Sequence, residues 1–152
     1  MSKSILKNYL EYNKRGRNKK QFDYLSTSCF LYEGKYLISD GCSVVALNDT
    51  RGLEVKQDLL GINMHYKSMQ ENRVAFTELN TRLIKEDKRD TIPLGIDNYE
   101  LNIRLAQNII KLIKANRVEV LEDTIYNSAH PIIKISNDKT GEIGLLLPMR
   151  KY

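Results

Sequence analysis

The chain has 152 residues, with 24 Lys or Arg against 19 Asp or Glu, so its net charge at neutral pH is +5. This mild excess permits an anionic partner such as DNA or RNA without requiring one, because soluble surfaces often carry surplus lysine. Two cysteines exclude a disulfide scaffold. No apolar run reaches the ~20 residues of a membrane span, and no signal-peptide core precedes residue 20. We therefore expect one cytoplasmic domain, 1–152, with no membrane partner.

The first 48 residues predict one helix and three strands. Apolar side chains recur at helical spacing over 4–12, which indicates a short amphipathic helix. From residue 22 the pattern alternates with a period of two, and turn signals at Glu33-Gly34 and Asp40-Gly41 divide 23–48 into three antiparallel strands.

Between the helix and the strands lies the densest cluster of positive charge in the chain. A basic segment split by a glycine is usually a solvated loop, but it is also the best candidate for phosphate contacts. Its basic residues are Lys14, Arg15, Arg17, Lys19 and Lys20.

The second part of the chain begins with a segment, 49–98, that is harder to interpret. Residues 54–60 fit a strand or a short helix, 72–77 fit a strand, and 78–91 are so highly charged that we expect an exposed connection. A short strand at 99–101 leads to Asn102, which can cap a helix of about three turns. One side of that helix is apolar, and the other carries cations and no carboxylates.

Three further strands are predicted at 117–122, 131–136 and 142–147. The last ends at Pro148, which cannot donate a ladder hydrogen bond, so we expect Met149 and Arg150 at the surface. Residues 1–48 and 99–150 thus repeat the order of one helix followed by three strands. This order predicts an α+β domain with antiparallel sheets and its helices on one side.

Two segments resemble the bacterial DNA polymerase III β sliding clamp. Residues 101–120, LNIRLAQNIIKLIKANRVEV, with a later apolar strand and the terminal LPMR, are similar to the end of that family's last domain. Residues 23–47 contain SDGCSVVA, which resembles the family's "TDGHRLA" segment. The resemblance implies a DNA-clamp-like domain of two similar halves, each one helix plus a small antiparallel sheet, joined here by 49–98. The small size is typical of a phage-like relative.

The resemblance also implies two binding sites. The helices of a clamp line a hole around duplex DNA, which places Arg104, Lys111 and Lys114 near phosphates without base readout. The family's C-terminal residues help form an apolar cleft for short peptide motifs of replication proteins, and flexible methionine suits such a cleft. The matching residues are Gly41, Cys42, Ser43 and Val44 on one wall and Leu147, Pro148, Met149 and Arg150 on the other.

Departures from the family leave two hypotheses open. Cys42-Ser43 stand where the family has His-Arg, Lys151 and Tyr152 extend the end, and one domain stands where the family has three. The first hypothesis is a clamp-like, non-catalytic replication accessory protein that binds DNA or partner peptides, with a ring built as a homo-oligomer. The second is a monomeric interaction or inhibitor protein that retains the clamp fold without encircling DNA.

No residue pattern indicates catalysis, a cofactor or a metal. His65 and His130 lack a Cys, Asp or Glu at metal-ligand spacing. Phosphate-binding loops, dinucleotide fingerprints and nucleophile elbows are absent from the sequence. Glu119 and Glu122 are three apart on a predicted strand and so face opposite sides. An enzyme whose site is assembled from distant segments is the third hypothesis.

Overall fold

A computed structural model describes residues 2–14, 18–123 and 130–150. These residues form a mixed α+β structure, as predicted. No helix among them is long and apolar enough to cross a membrane. The helices are α1 (Ser2–Leu10), α2 (Lys19–Ser26), α3 (Ile62–Ser68), α4 (Thr81–Glu86) and α5 (Ile103–Ile113). The strands are β1 (Ser28–Tyr32), β2 (Lys35–Ser39), β3 (Ser43–Leu47), β4 (Glu54–Val55), β5 (Arg73–Leu79), β6 (Thr91–Pro93), β7 (Tyr99–Asn102), β8 (Arg117–Asp123), β9 (Ile132–Ser136), β10 (Ile143–Leu146) and β11 (Met149–Arg150).

Eight of the described strands form one sheet in the order β4-β1-β2-β3-β10-β9-β8-β5. All neighbours in it are antiparallel except β1 and β4, which are parallel. The two predicted sets of three strands, β1–β3 and β8–β10, are confirmed and meet at β3 and β10. A smaller antiparallel sheet has the order β11-β7-β6.

Apolar side chains cover both faces of the large sheet. Successive residues of a strand point to opposite faces, and Val44 and Val45 accordingly belong to two different buried clusters. Helices α1 and α5 pack on the face of Val45, whereas α2 and α3 pack on the face of Val44. The prediction of helices on one side was therefore wrong, because every central strand is apolar on both faces and requires two covers.

Helix α2 replaces the beginning of the predicted first strand. Asn18 caps the helix by accepting a hydrogen bond from the N–H of Gln21 at 2.9 Å. Leu25 is the buried residue of the helix. The helix ends where hydroxyl groups bond back to its carbonyls, with Thr27 Oγ1 donating to Asp23 O at 2.8 Å. The alternation over 22–27 rested on Ser and Thr, which suit a helix end as well as a strand.

The charged segment 78–91 is also partly helical. Helix α4 begins after Asn80, whose side chain accepts from Leu83 N–H at 3.0 Å. Buried Gln107 of α5 holds its end, because Gln107 Nε2 donates to the carbonyls of Ile84 and Asp87 at 2.9 and 2.7 Å. The prediction of a plain connection missed this helix because only Ile84 of its six residues is buried.

Helix α5 lies very close to the sheet. A Cβ atom at Gly144 would lie only 2.6 Å from Cγ2 of Ile109, so a glycine is required in β10 at this crossing. After Leu146 the ladder of the large sheet ends, as Pro148 predicts. The chain then pairs again at once, since Met149 and Arg150 oppose Glu100 and Tyr99 of β7 in the small sheet.

Candidate functional site

Residues from the two segments that resemble the clamp family lie side by side around a pocket of about 230 Å³, here called the C-terminal pocket. Gly41 and Cys42 come from the turn between β2 and β3. Leu147, Pro148 and Met149 come from the segment that links the two sheets. The remaining lining residues are Asn13, Asn102, Leu105 and Leu146.

Asp40 holds the turn that forms the first wall. Its carboxylate is fully buried, and Oδ1 accepts hydrogen bonds at 2.9 Å from the N–H groups of Cys42 and Ser43 and from the Ser43 hydroxyl. Asn13 Nδ2 donates to Oδ2 at 3.2 Å. Charged hydrogen bonds of this kind are about twice as strong as neutral ones. The position of Gly41 and Cys42 is therefore fixed from inside the protein.

Ser43 and Val44, the other residues expected on this wall, lie inside the protein. Ser43 Oγ is 2.8 Å from the hydroxyl of Tyr9, and Val44 packs toward α2 and α3. Burial, followed by the charge of Asp40, raises the pKa of Tyr9 well above its usual value. Tyr9 thus stays a neutral hydrogen-bonding partner, and these residues support the pocket without lining it.

The second wall is apolar and accessible. Leu147 is 40% exposed and Met149 is 46% exposed. Leu146, just before them, pairs with Ser43 in the large sheet, whereas Met149 pairs with Glu100 in the small one. The wall is therefore a short span of chain held at each end by a different sheet.

Arg150 does not line the pocket. Its guanidinium carbon lies 5.5 Å from the centre of the Tyr99 ring, and its Nη2 is 3.4 Å from Asp97 Oδ2. Tyr99 in turn hydrogen-bonds through its hydroxyl to His130 Nδ1. Arg150 accordingly holds β11 against β7. The prediction that Arg150 lines the pocket was wrong.

The floor of the pocket comes from the start of α5, which the sequence did not place there. Asn102 Oδ1 accepts hydrogen bonds at 3.1 Å from the N–H of Leu105 and from the hydroxyl of Tyr12. Asn102 was recognised as a helix cap, but its second contact joins α5 to the end of α1. This contact and the packing of α1 against α5 bring Asn13 and Asn102 to the same pocket.

The cations of α5 form a separate feature. Arg104, Lys111 and Lys114 are exposed, and α1 lies beside them, with Asn108 Nδ2 3.5 Å from Asn8 O. Arg104 Nε is 3.7 Å from Asp90 Oδ1. Among the residues that the structure describes, the ammonium groups of Lys111 and Lys114 have no hydrogen-bonding or ion-pair partner. The uncompensated charge of α5 therefore lies at its C-terminal end.

Two residues of the basic cluster before the first strand, Lys19 and Lys20, are not part of that surface. Lys19 and Lys20 begin α2, which packs on the opposite face of the sheet from α5. The Lys14 ammonium lies 5.5 Å from the centre of the Phe22 ring. Arg15 and Arg17 lie outside the described residues. Lys19 and Lys20 thus do not share a face with Lys111 and Lys114.

The C-terminal pocket is lined by apolar side chains, by the amides of Asn13 and Asn102, and by Cys42. Neither His65 nor His130 lines it. Within residues 2–14, 18–123 and 130–150, no group of three or more His, Cys, Asp or Glu could hold a metal ion.

Comparisons with known proteins add no relative. No protein-family model, no curated protein and no solved structure matches the chain.

Proposed function

We propose that the protein is a non-catalytic, sliding-clamp-like accessory protein of DNA replication that binds short peptide segments in the C-terminal pocket. The observation that carries this proposal is that Gly41 and Cys42 share a pocket with Leu147, Pro148 and Met149. The volume of about 230 Å³ is below that of a drug-sized site and suits one or two apolar side chains. Exposed methionine adapts to partners of differing shape.

The arrangement of the large sheet supports the clamp-like part of the proposal. Strands β1-β2-β3 and β10-β9-β8 stand in mirrored order about the centre of the sheet. Helices α1 and α5, which precede these two sets, pack on the same face. Two similar halves would have this form. Helices α2 and α3 are additions to it, because they cover the face that a clamp leaves as its outer sheet surface.

Peptide binding is tested with variants of the second wall. Heptapeptides selected from a random displayed library on the wild-type protein are expected to share an apolar pair. Met149→Asp should weaken their binding at least about tenfold, because a carboxylate would have to be desolvated against the apolar side chain of the peptide. Fluorescence polarisation of the selected peptides measures the loss.

Met64→Asp is the matched control for this test. Met64 is 71% exposed and lies on α3, on the opposite face of the large sheet, so its replacement should leave peptide affinity unchanged. Equal binding by wild type and Met149→Asp, or selected peptides without any apolar preference, would count against the pocket as the site.

Duplex DNA is a second candidate ligand, favoured by the exposed ammonium groups of Lys111 and Lys114, which have no partner within the described part of the chain. Lys111→Glu/Lys114→Glu should weaken the binding of a 30-base-pair duplex and lower the slope of log K against log salt by about 2, roughly 0.9 for each lost phosphate contact. Filter binding at several salt concentrations measures both effects.

The pair Lys19→Glu/Lys20→Glu serves as the comparison, because these residues lie on the other face of the sheet. If Lys19→Glu/Lys20→Glu lowers the slope and Lys111→Glu/Lys114→Glu does not, DNA binds the face of α2, which contradicts a clamp-like mode. No binding by the wild type at low salt would contradict DNA as a ligand altogether.

The alternative proposal is a monomeric interaction or inhibitor protein that keeps the fold without encircling DNA. Both versions use the C-terminal pocket, so peptide binding does not separate them. Light scattering of the purified chain does, because a closed ring needs several copies. A monomer at all concentrations tested would favour the alternative.

A further inference from the structure

A second pocket lies at the other end of α5, and its volume of about 360 Å³ falls within the range of small-molecule sites. It is enclosed by the last turn of α5, the start of α1 and the turns that follow β3 and β9. An 11-residue helix is about 16 Å long, so this pocket, here called the α5-end pocket, is distinct from the C-terminal pocket.

The carboxylate that lines the α5-end pocket is already neutralised. Glu142 is 4% exposed, and both of its oxygens accept from Arg51 Nη2 at 2.9 Å. The N–H of Asn48 donates to Glu142 Oε2 at 2.9 Å. Burial acts to lower the pKa of Arg51, but the hydrogen bonds that Arg51 donates to Glu142 and Asp49 outweigh burial and raise that pKa. Glu142 therefore does not repel an incoming anion as a free carboxylate would.

Two lysines at the same pocket have no ion-pair or hydrogen-bonding partner among residues 2–14, 18–123 and 130–150. Lys111 and Lys114 are three residues apart, so they are neighbours on the helix surface. Lys114 adopts a left-handed conformation, with φ of 52°, where glycine is the usual residue. The carbonyls of Ile113 and Lys114 accept from Asn137 Nδ2 at 2.9 and 3.0 Å, which weakens the negative end of the helix.

The inner surface of the pocket is apolar, with Ile5 and Leu112 facing it. We propose that the α5-end pocket binds a small amphiphilic anion, with its carboxylate or phosphate head between Lys111 and Lys114 and its alkyl part against Ile5 and Leu112. This site is independent of peptide binding, since it shares no lining residue with the C-terminal pocket.

Octanoate and octyl phosphate are the two probes, and neutral 1-octanol is the control for the charge. Calorimetric titration of the full chain should show saturable binding of at least one anion and several-fold weaker binding of octanol. Methyl NMR shifts should concentrate at Ile5, Leu112 and Ile113 and leave Leu147 and Met149 unchanged. The anion that binds more tightly, octanoate or octyl phosphate, shows whether the site prefers a carboxylate or a phosphate head group.

Lys111→Gln and Lys114→Gly should each weaken anion binding about fivefold, as loss of one partly exposed ion pair predicts. Lys114→Gly keeps the backbone conformation, because glycine adopts positive φ without strain. Lys85→Gln, an exposed cation of α4, should have no effect. Equal affinity for octanol, equal affinity in both lysine variants, or shifts centred on Met149 would overturn the proposal.

Discussion

Replacement of Arg51 by alanine is expected to lower the free energy of unfolding by about 3 kcal/mol, because breaking a buried ion pair strands the remaining charge. Glu142 is that charge, with a side chain that is 5% exposed. One backbone N–H, from Asn48, would be left to stabilise it. The φ of 51° at this position strains alanine and arginine equally, so a change in backbone strain does not offset the loss. Equilibrium urea unfolding measures the change.

Arg89→Ala is the matched control for Arg51→Ala. Arg89 also forms two side-chain hydrogen bonds to a carboxylate, that of Asp87, and these hydrogen bonds lower the pKa of Asp87 to about 2. The Arg89 side chain is 68% exposed, however, and that of Asp87 is 12% exposed. The backbone N–H of Arg89 would still donate to Asp87 Oδ1 in the variant, so the loss should be smaller than at Arg51. An equal loss of unfolding free energy in Arg89→Ala and Arg51→Ala would contradict the conclusion that burial makes the Arg51–Glu142 pair important. Arg51→Met/Glu142→Met, which removes both charges, should recover most of the stability.

Asp40→Ala should also lower the free energy of unfolding by about 3 kcal/mol, because it leaves two backbone N–H groups and a hydroxyl without their buried acceptor. Asp40→Asn keeps one acceptor oxygen for the N–H groups of Cys42 and Ser43 and should lose less. Both variants should also weaken peptide binding, since the turn of Gly41 and Cys42 is no longer fixed. Urea unfolding and fluorescence polarisation provide the two measurements.

Asp58 offers a close comparison for Asp40. Its carboxylate accepts from the N–H groups of Leu60, Ile62 and Asn63, but it is half-buried at the surface. Its replacement by alanine removes the acceptor of two N–H groups in the first turn of α3, which should cost about 1 kcal/mol, as loss of a capping side chain does. If the two aspartates cost the same, burial of Asp40 would not be the source of its contribution.

The strong periodic segments could be predicted from the sequence, and the weakly apolar ones could not. Helix α5 has eight buried residues out of eleven, and each of the six central strands has at least three buried residues, so the pattern defines them. In contrast, α4 buries Ile84 alone. Such short, half-exposed elements depend on contacts from elsewhere, such as the amide of Gln107, which no local pattern contains.

The candidate site was only partly accessible to sequence reasoning. The inability of Pro148 to donate a backbone hydrogen bond predicted the end of a strand. The expectation that residues around Pro148 share a site with Gly41 and Cys42 came from the resemblance. Neither source placed Asn13 or Asn102 at the pocket. Arg150 was expected beside Met149 at the site, yet adjacent residues of a strand face opposite sides, and its guanidinium lies against Tyr99 instead.

We expect the two-residue strand β11 to make the outer wall of the C-terminal pocket a separately opening unit. Its ladder to β7 has two residue pairs, whereas the large sheet is held by eight strands. Segments with few buried contacts open locally at a small fraction of the global unfolding free energy. We therefore expect Met149 and Arg150 to detach from β7 while the core stays folded. A bound peptide would slow amide exchange at Met149 and Arg150 more than anywhere else, and part of its binding energy would go into holding this wall closed.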